Sequence, residues 1–400
     1  MDLERIQEAL RQRGMDAWFF YDFQHRDLIA HRILGLSPHR LATRRWYYVI
    51  PARGTPSKLV HRIESTYLDA LPGETRMYAT WEELQNSLGQ MLAPYPVLAV
   101  QYSPNNRIPY ISRVDAGTVE FLRALGNQVV SSADLVQLFE ARWSAQALAH
   151  HLEAGRIVDG IMAAAFEEIG RRVSRDGQTS ESDIQELILE QIHSSGLYTN
   201  SHRPIVAVNE HTANPHYEVS PQSSLPIRRG DLVLIDMWAK VKRPEAAFYD
   251  ITWMGFVGDE PPEKVQQVFE IVKMARDRAV ETVQTAVHQG RTLRGWEVDR
   301  AARGVIAEHG LADRFIHRTG HSLGETVHGN GVNMDDLETH DDREIIPLIG
   351  FSIEPGIYLD EFGVRSEVNV FVGEGEARVT GAVQQELVRI PLRFPMRVNS

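Results

Sequence analysis

Acidic residues interrupt four apolar, strand-like segments in the second half of this chain. Asp236 lies within a run of aliphatic residues, Asp250 begins the next such run, and Glu354 and Glu367 lie in two apolar segments further along. A carboxylate inside an apolar strand is costly to bury unless it is paired or bound to a metal. Four such acids in neighbouring strands could be neutralised together only through cations, so the sequence predicts a fold that gathers them around bound metal.

The donor atoms that the chain offers limit what that metal site can be. The 400 residues include no cysteine, which excludes disulfides, a thiolate nucleophile, an iron–sulfur cluster and Cys-ligated zinc. Any metal must be held by carboxylate and imidazole, and His321 is the candidate imidazole. Four carboxylates plus one imidazole suit two divalent ions about 3.5–4 Å apart. Each residue alone would more often be structural or exposed, and only the set of five reverses those odds.

Charge and hydropathy exclude other classes of partner. The chain has 54 acidic and 42 basic side chains, a net charge of −12, whereas nucleic-acid binding requires a basic surface. Its apolar runs fall short of the roughly 18 residues that cross a membrane. The amino-terminal segment is charged and lacks the apolar core of a signal peptide. We therefore expect a cytoplasmic protein that binds neither nucleic acid nor membrane.

The periodicity of the sequence predicts two domains. The first third alternates helical and strand-like patterns, which indicates an α/β layer, and residues 1–142 are assigned to it. Residues 143–400 have helix pairs and strand pairs in separate blocks, which indicates an α+β domain. Predicted helices of the second domain are Ala145–Arg172, Ser182–Ser194, Glu263–His288 and Leu293–His309; predicted strands are Pro204–Val208, Asp231–Ala239, Tyr249–Val257, Phe351–Leu359 and Val364–Val372, with a possible hairpin near Gly363.

Short motifs surround the candidate ligands. His317, His321 and His328 stand in the pattern H-x-x-x-H-x-x-G-x-x-V-H, Glu354 opens E-P-G-I-Y, and Glu367 ends R-S-E. The two aspartates stand in I-D-M-W and D-I-T-W-M. With these motifs the sequence resembles the metallopeptidases of the pita-bread fold, specifically the aminopeptidase P and prolidase branch.

The resemblance covers residues 204–372 and implies an overall architecture. The class is α+β: a carboxyl-terminal pita-bread (creatinase/aminopeptidase) domain follows a smaller α/β, creatinase-like amino-terminal domain. The first domain is similar to the family's in architecture rather than in motifs. In relatives that domain restricts access to short chains and helps to form a dimer, so the resemblance implies a homodimer.

The resemblance also implies a role for each ligand. Asp236 would chelate one ion, Asp250 and Glu367 would bridge both ions, and His321 and Glu354 would complete the second ion's shell. A bridging hydroxide would be the nucleophile, and Glu354 would shuttle its proton. Manganese is the expected metal of this dinuclear site, and zinc, cobalt or iron are also compatible with such ligands.

Accessory residues follow from the same resemblance. His216 matches a histidine of the substrate pocket, although it could be a plain loop residue. His317 and His328 match residues that contact the substrate and stabilise the tetrahedral intermediate. Arg365 is two residues before the last glutamate, so on a strand it faces the same side and is expected to hold a neighbouring carboxylate. Tyr358 is expected to be a packing aromatic.

The sequence departs from the family pattern around the ligands. The two aspartates are 250 − 236 = 14 positions apart, and the extra residues fall in Lys240–Ala247, which we expect to form an exposed hairpin loop. Trp238 and Trp253 replace a small residue and an arginine, and Gly329 replaces an acid. These changes leave the ligands intact but alter their surroundings, which could signal another substrate.

Four hypotheses remain open from the sequence. The leading one is a dinuclear metallohydrolase that cleaves an Xaa-Pro bond of a short peptide, as an aminopeptidase or dipeptidase. The second keeps the metals but acts on a small amide such as ectoine, or as a lyase on a small sulfonium compound. Metal-free creatinase chemistry and a non-catalytic binding protein are the third and fourth, and the intact set of five ligands argues against both.

Overall fold

The computed structural model describes residues 1–37, 39–220 and 222–392. The chain divides into two compact units, Met1–Glu140 and Ala141–Ser400. The predicted boundary after residue 142 lies beside this division, although the predicted second domain includes residues 393–400, which lie outside the described residues. What each domain contributes to function stays a prediction.

The first unit is built on one mixed six-stranded sheet. Its strands are β1 (Ala17–Asp22), β2 (Trp46–Pro51), β3 (Ser57–His61), β4 (Glu74–Tyr78), β5 (Val97–Val100) and β6 (Gln128–Ser131). Their order is β4-β3-β2-β1-β5-β6, with β1–β2 and β2–β3 antiparallel and the other pairs parallel. The alternation predicted for this third of the chain therefore forms a single α/β layer.

Helices cover both faces of this sheet. They are α1 (Leu3–Gln12), α2 (Leu28–Leu34), α3 (Trp81–Leu92), α4 (Ala116–Ala124) and α5 (Ala133–Val136). Side chains alternate along β1, so that Trp18 and Phe20 pack into one apolar cluster while Phe19 and Tyr21 pack into another. A strand that is buried on both faces explains why this segment is continuously apolar.

The second unit contains the strands that carry the acidic residues. They are β7 (Thr179–Ser180), β8 (Leu197–Tyr198), β9 (Ile205–Val208), β10 (Pro226–Ile227), β11 (Leu232–Val241), β12 (Tyr249–Val257), β13 (Ser322–Leu323), β14 (Ile349–Ile353), β15 (Gly356–Tyr358), β16 (Gly363–Arg365), β17 (Val368–Val372), β18 (Ala377–Thr380) and β19 (Val388–Ile390). One sheet has the order β19-β12-β11-β8, with β9 also paired to β11. A second sheet has the order β13-β14-β17-β18, and β15 and β16 form the hairpin that was predicted near Gly363.

Long amphipathic helices pack on these sheets. They are α6 (Ala145–Asp176), α7 (Glu181–Ser194), α8 (Glu263–His288) and α9 (Gly295–Glu308). Ser144 caps the start of α6, and Gly177 ends it at φ +79°, a conformation that glycine adopts without strain. Gly155 lets α6 approach β12 closely, because a Cβ there would lie 2.8 Å from the Tyr249 ring. Among the described residues, no helix combines the length and the apolar surface needed to cross a membrane.

Two predicted strands are interrupted at their glutamates. The prediction of one strand over Phe351–Leu359 is wrong, because β14 ends at Ile353 and β15 begins at Gly356. Likewise Val364–Val372 is divided into β16 and β17 on either side of residues 366 and 367. At each break the glutamate amide bonds to a different segment, to the carbonyl of Thr319 for Glu354 and to that of Thr252 for Glu367, and the carboxylate faces the other residues of the acidic cluster.

The predicted loop between the two aspartates is only partly exposed. The strand β11 continues to Val241, and residues 242–245 are exposed as expected. Ala246 and Ala247 are buried, which contradicts an exposed loop over Lys240–Ala247. They pack with Phe248 and Tyr249 in the core of the unit, so this segment helps to build the surroundings of the acidic residues.

Candidate metal centre and active site

The structure brings the five predicted metal ligands together. Asp236 and Asp250 lie on β11 and β12, His321 precedes β13, and Glu354 and Glu367 lie at the two strand breaks. His321 Nε2 is 3.5 Å from Asp250 Oδ2 and 3.3 Å from Glu354 Oε1. Asp250, His321 and Glu367 each offer one donor atom within 4.8 Å of the others. Residues that are up to 131 positions apart (367 − 236) therefore form one cluster.

Several oxygens of this cluster are buried without a partner. Among the described residues, none hydrogen-bonds to Asp236 Oδ1, Asp250 Oδ1 or Glu367 Oε1. An unpaired buried carboxylate oxygen carries the full cost of desolvation. Three such oxygens in contact with a common cavity are suited to a divalent cation, which takes oxygen and imidazole donors. The donor set thus fits the predicted divalent metal site.

Burial raises the pKa values of all four acids of the cluster. Burial raises the pKa of Asp236 to about 6, although the Arg365 guanidinium opposes this shift. Burial raises the pKa of Asp250 to about 7 and the pKa values of Glu354 and Glu367 as well. One guanidinium cannot balance four buried carboxylates, so these acids favour either a proton or a cation.

Arg365 holds the cluster from one side, in the position that the sequence predicts. Its guanidinium donates to Asp236 Oδ2, and its Nε donates to Thr252 Oγ1 at 3.0 Å. Thr252 Oγ1 in turn donates to Glu367 Oε2 at 2.8 Å. The sequence prediction missed Thr252, although it lies two residues after Asp250 and so faces the same side of β12.

Further polar residues fix the remaining donors. Ser352 Oγ donates to Glu354 Oε1 at 3.1 Å and accepts from the backbone amide of His321 at 3.0 Å. The Asn369 side chain accepts from the amide of Asp250 and donates to its carbonyl, at 3.1 and 2.6 Å. Ser352 and Asn369 are each two residues from a glutamate of the site. Because side chains two positions apart on a strand face the same side, their spacing from the glutamates could have identified both residues.

His317 is linked to a tyrosine that the sequence prediction assigned to packing. Its Nδ1 faces the carbonyl of Arg318 at 2.8 Å and its Nε2 lies 2.7 Å from Tyr358 Oη. Burial first, and Arg365 second, lower the pKa of His317 to about 3, so the ring is neutral. Nδ1 then carries the proton, and Nε2 accepts from the Tyr358 hydroxyl, which also accepts from Arg365 at 3.3 Å. Tyr358 is buried, as expected of a packing aromatic, and its hydroxyl in addition joins His317 to Arg365.

The other two predicted substrate histidines lie on the walls of the cavity. The ring centroid of His328 is 4.4 Å from that of His321, in an edge-to-face arrangement. The nearby His321 first, and burial second, lower the pKa of His328 well below its usual range, so it is neutral. His216 is exposed at the end of a short turn. Both residues and His317 line the cavity of about 1000 Å³ whose floor is the acidic cluster.

A buried glutamate organises the segment that carries His216. Glu181 is fully buried at the start of α7 and accepts from Tyr217 Oη and from the Leu225 amide, each at 2.8 Å. His211 Nδ1 lies 2.8 Å from its other oxygen. These bonds fix both ends of the turn that contains His216. Nothing in the sequence distinguished Glu181 from an ordinary acid in the first turn of a helix.

A pita-bread domain with carboxylate and imidazole donors on the floor of its cavity is typical of metal-dependent hydrolases, and this is the class to which the fold and the site point. The model of metallopeptidase family M24 matches residues 149–374, more than half of the chain. The chain belongs to metallopeptidase family M24, whose members use divalent metals. This membership confirms the predictions of a metallopeptidase-like enzyme and of the pita-bread branch.

Individual relatives agree with that assignment. The chain is 27% identical to a probable dipeptidase PepE of Mycobacterium tuberculosis over 347 residues, which cover 86% of this chain and 85% of the relative. It is 32% identical to an Xaa-Pro dipeptidase of Pyrococcus furiosus over 239 residues, or 59% of this chain and 62% of that one. The crystal structure of dipeptidase PepE from Mycobacterium ulcerans matches with a TM-score of 0.71 at 24% identity, covering 97% of both chains. This last likeness concerns the fold and confirms the predicted fold class.

Proposed function

We propose that this protein is a dinuclear metal-dependent peptidase that hydrolyses Xaa-Pro bonds of short peptides. The observation that carries the proposal is the convergence of five donor side chains, three with unpartnered buried oxygens, on the floor of one cavity. Relatives named dipeptidase and Xaa-Pro dipeptidase support a short peptide as substrate. The fold of metallopeptidase family M24 agrees with both parts of the proposal.

The proposed ligands are the five residues that the sequence predicts. Asp236, Asp250, His321, Glu354 and Glu367 would hold two divalent ions, with manganese the proposed metal. When bound, such ions polarise the scissile carbonyl and activate water for attack at neutral pH. Five donors leave coordination positions open for substrate, unlike a closed structural zinc site.

Glu354 is the proposed proton carrier. Ser352 Oγ, which donates to Glu354 Oε1, fixes the orientation of this carboxyl group at the edge of the cavity. A carboxylate held within reach of the attacking water can act first as a general base and then as a general acid. Glu354 would take a proton from the attacking water and pass it to the leaving nitrogen. Without that proton the proline nitrogen would leave as an amide anion, a poor leaving group.

The histidines of the cavity would position the substrate, and Arg365 would hold Asp236 in place. His328 and His216 lie on the cavity walls, where an imidazole N–H can donate a hydrogen bond to a peptide carbonyl. The nitrogens of His317 are already engaged with Arg318 and Tyr358. Its proposed contribution to the tetrahedral intermediate therefore includes the Tyr358 hydroxyl, which can redirect its proton toward developing negative charge.

A substrate panel tests this proposal. Protein loaded with Mn²⁺ is assayed on Xaa-Pro dipeptides, Xaa-Pro-Yaa tripeptides, the same peptides with alanine in place of proline, creatine and ectoine. We expect turnover of proline peptides and at least about tenfold lower kcat/KM on the alanine peptides. Turnover of creatine or ectoine with none of any proline peptide would overturn the proposal in favour of a non-peptide amide substrate.

A single substitution tests the role of Glu354. Glu354→Gln keeps the shape of the side chain but cannot exchange a proton, so we expect kcat to fall by at least about a hundredfold. The matched control is Glu361→Gln, an exposed glutamate paired with Lys264 outside the cavity. Wild-type kcat in Glu354→Gln would exclude the proposed proton transfer.

The predicted homodimer rests on the family resemblance and is part of the proposal. Light scattering coupled to size-exclusion chromatography tests it directly. A mass near twice the 45.3 kDa of the chain is expected, and a mass of one chain at micromolar concentration would contradict it.

A further inference from the structure

Aromatic side chains form one side of the catalytic cavity. We call Tyr198, Trp238 and Phe248 the aromatic wall; all three line the same cavity as the acidic cluster. Trp238 is half-buried, Tyr198 is 43% exposed, and Phe248 lies behind them, fully buried. Val327 extends the apolar surface beside them. A cavity with an acidic floor and one apolar side can bind a molecule that has both a polar reacting group and an apolar side chain.

Strand register places the aromatic wall one substrate residue away from the acidic cluster. Trp238 is two positions after Asp236 on β11, so the two side chains face the same side about 7 Å apart. Trp238 is also directly paired with Asp250 on β12. Directly paired residues have Cβ atoms about 5 Å apart. The indole is therefore next to the metal ligands on the strand that carries one of them.

The indole of Trp238 is held in one orientation. Its Nε1 donates to Asn200 Oδ1 at 2.9 Å, and the same oxygen accepts from the amide of His202 at 3.1 Å. The side chain also packs at the edge of an apolar cluster that contains Phe248 and Val327. A fixed aromatic surface loses little conformational entropy when a ligand binds, which favours binding of an apolar group.

The ammonium of Lys240 lies near the rings of the aromatic wall and is bonded to the backbone. It is paired with Tyr198 between β8 and β11, and its Nζ lies 5.2 Å from the Phe248 ring centroid and 6.0 Å from that of Tyr198. The ammonium donates to the carbonyl of Glu325 at 2.7 Å. The charge is thus engaged with the backbone and the ring faces, and it supports the aromatic wall rather than offering a partner for an acidic substrate.

We infer that the aromatic wall binds the side chain of the substrate residue on the amino side of the scissile bond and selects a large apolar residue there. The inference rests on the proposed peptidase function, in which proline occupies one side of the bond and Xaa is the side chain that varies. Trp238 supplies the main contact surface. Asn200 is a positioning residue, because its side-chain oxygen holds the Trp238 indole in place.

The experiment compares kcat/KM for Phe-Pro, Leu-Pro, Ala-Pro and Asp-Pro in the Mn²⁺-loaded full-length protein. In the wild type, Phe-Pro and Leu-Pro should exceed Ala-Pro by about tenfold or more. Trp238→Ala should lower the Phe-Pro value by about 10- to 100-fold while Ala-Pro changes by less than about threefold, and Trp238→Phe should restore most of the preference. Trp253→Phe is the matched control, because Trp253 is paired with Ile235 and packs on the opposite face of the sheet.

Several results would overturn the inference. A Phe-Pro to Ala-Pro ratio near one in the wild type would do so while leaving the proposed function intact. An equal loss on all substrates in Trp238→Ala would show a structural role, and a gain on Phe-Pro would show that the indole excludes large side chains. A change of the ratio in Trp253→Phe as large as in Trp238→Ala would also contradict it.

Binding measured without turnover separates the two proposals. Calorimetric titration of the Mn²⁺-loaded wild type with the reduced (CH2–NH) analogues of Phe-Ala and Ala-Ala, which cannot be hydrolysed, should give about tenfold tighter binding of the Phe-Ala analogue, and Trp238→Ala should abolish the difference. If no proline peptide is hydrolysed, the proposed function fails, and this titration still decides whether the aromatic wall binds an apolar side chain. Equal affinity for both analogues would overturn the inference.

Discussion

Two clusters of aspartate and histidine lie in the interior of this protein, one in each unit, and they are stabilised differently. In the first unit, Asp22, His25 and His31 offer donor atoms within 4.8 Å of one another, as do Asp250, His321 and Glu367 in the second unit. Spacing alone therefore does not distinguish them. What differs is how the carboxylate oxygens are satisfied.

Both oxygens of Asp22 have partners. Oδ1 accepts from the amide of Asp27 at 2.8 Å, and Oδ2 accepts from the amide of His25 at 3.0 Å and faces His31 Nε2 at 3.3 Å. Burial alone would raise the pKa of Asp22, but these hydrogen bonds outweigh burial and the pKa is lowered. In the second unit the acids have unpartnered oxygens and raised pKa values. A single buried acid that is short of donors does not mark a cation site, since Asp27 beside the first cluster also has an unpartnered oxygen and a pKa raised by burial to about 7. Three such acids on one cavity, as in the second unit, indicate a cation site better than proximity does.

The largest expected effect concerns a ligand of the second cluster. Glu367→Gln keeps the hydrogen bond from Thr252 but removes a charge that two ions would share, so we expect metal content to fall to one ion per chain or less. Peptide hydrolysis should fall at least about a thousandfold, since a cation contributes several kcal/mol to the reaction. Elemental analysis and kcat/KM check both, with Glu361→Gln as control. Two ions per chain and normal activity in Glu367→Gln would contradict its role as a metal ligand and with it the difference between the two clusters.

The first cluster should show the opposite behaviour. Asp22→Ala leaves the buried amides of Asp27 and His25 without their acceptor, so we expect a loss of about 3 kcal/mol in the free energy of unfolding. Metal content should stay unchanged. Urea unfolding and elemental analysis measure the two quantities. An ion held by Asp22, His25 and His31 would instead appear as a third ion in the wild type that is lost in this variant.

A smaller effect is expected for the tyrosine beside the second cluster. Tyr358→Phe removes the hydroxyl that joins His317 and Arg365 but keeps the ring, so kcat should fall about tenfold, equivalent to one hydrogen bond. Metal content should not change, because Tyr358 is not a proposed ligand. An unchanged kcat would mean that this hydroxyl has no part in the reaction and only packs, as the sequence suggested.

The smallest expected effect is the pH dependence of stability without metal. The pKa values of Asp236 and Asp250, about 6 and about 7, lie above the ordinary value of 3.8, so the folded protein binds more protons than the unfolded chain. Their contribution is fully present below pH about 4 and is lost as pH rises through 7. The lowered pKa of Asp22 has the opposite sign, with stability lost only as pH falls below about 4.

Thermal unfolding checks this dependence. The Tm of protein stripped by chelator should fall by a few degrees between pH 5 and pH 8. Added Mn²⁺ should raise Tm more at pH 8 than at pH 5, because protons compete with the ions for the same carboxylates. A rise in the Tm of the stripped protein over this interval would contradict the raised pKa values of Asp236 and Asp250.

Periodicity and motif spacing predicted most of the second unit. The helix Glu263–His288 and the strand Tyr249–Val257 have their predicted bounds, because both are long, regular and apolar on one side. The strand breaks at Glu354 and Glu367 could not be predicted, since the apolar pattern continues through both. There the need to turn a carboxylate into the site overrides local strand preference.

Buried polar residues were the main weakness of the sequence prediction. Their position on a long helix suggests that His150 and His151 are surface or helix-face residues, yet both are buried, and His151 is hydrogen-bonded to Phe248 and Thr380. Such partners come from distant segments, so the local pattern carries no sign of them. The small helix α2 escaped prediction for a related reason, because seven residues are too few to show a helical period.

The number of ions bound by the wild-type protein decides whether the acidic cluster is a dinuclear metal site. Elemental analysis of protein purified without chelator, and again after incubation with Mn²⁺ and removal of the excess, should give close to two divalent ions per chain. Less than about half an ion per chain in the first sample, with no gain in the second, would contradict a dinuclear metal site at Asp236, Asp250, His321, Glu354 and Glu367.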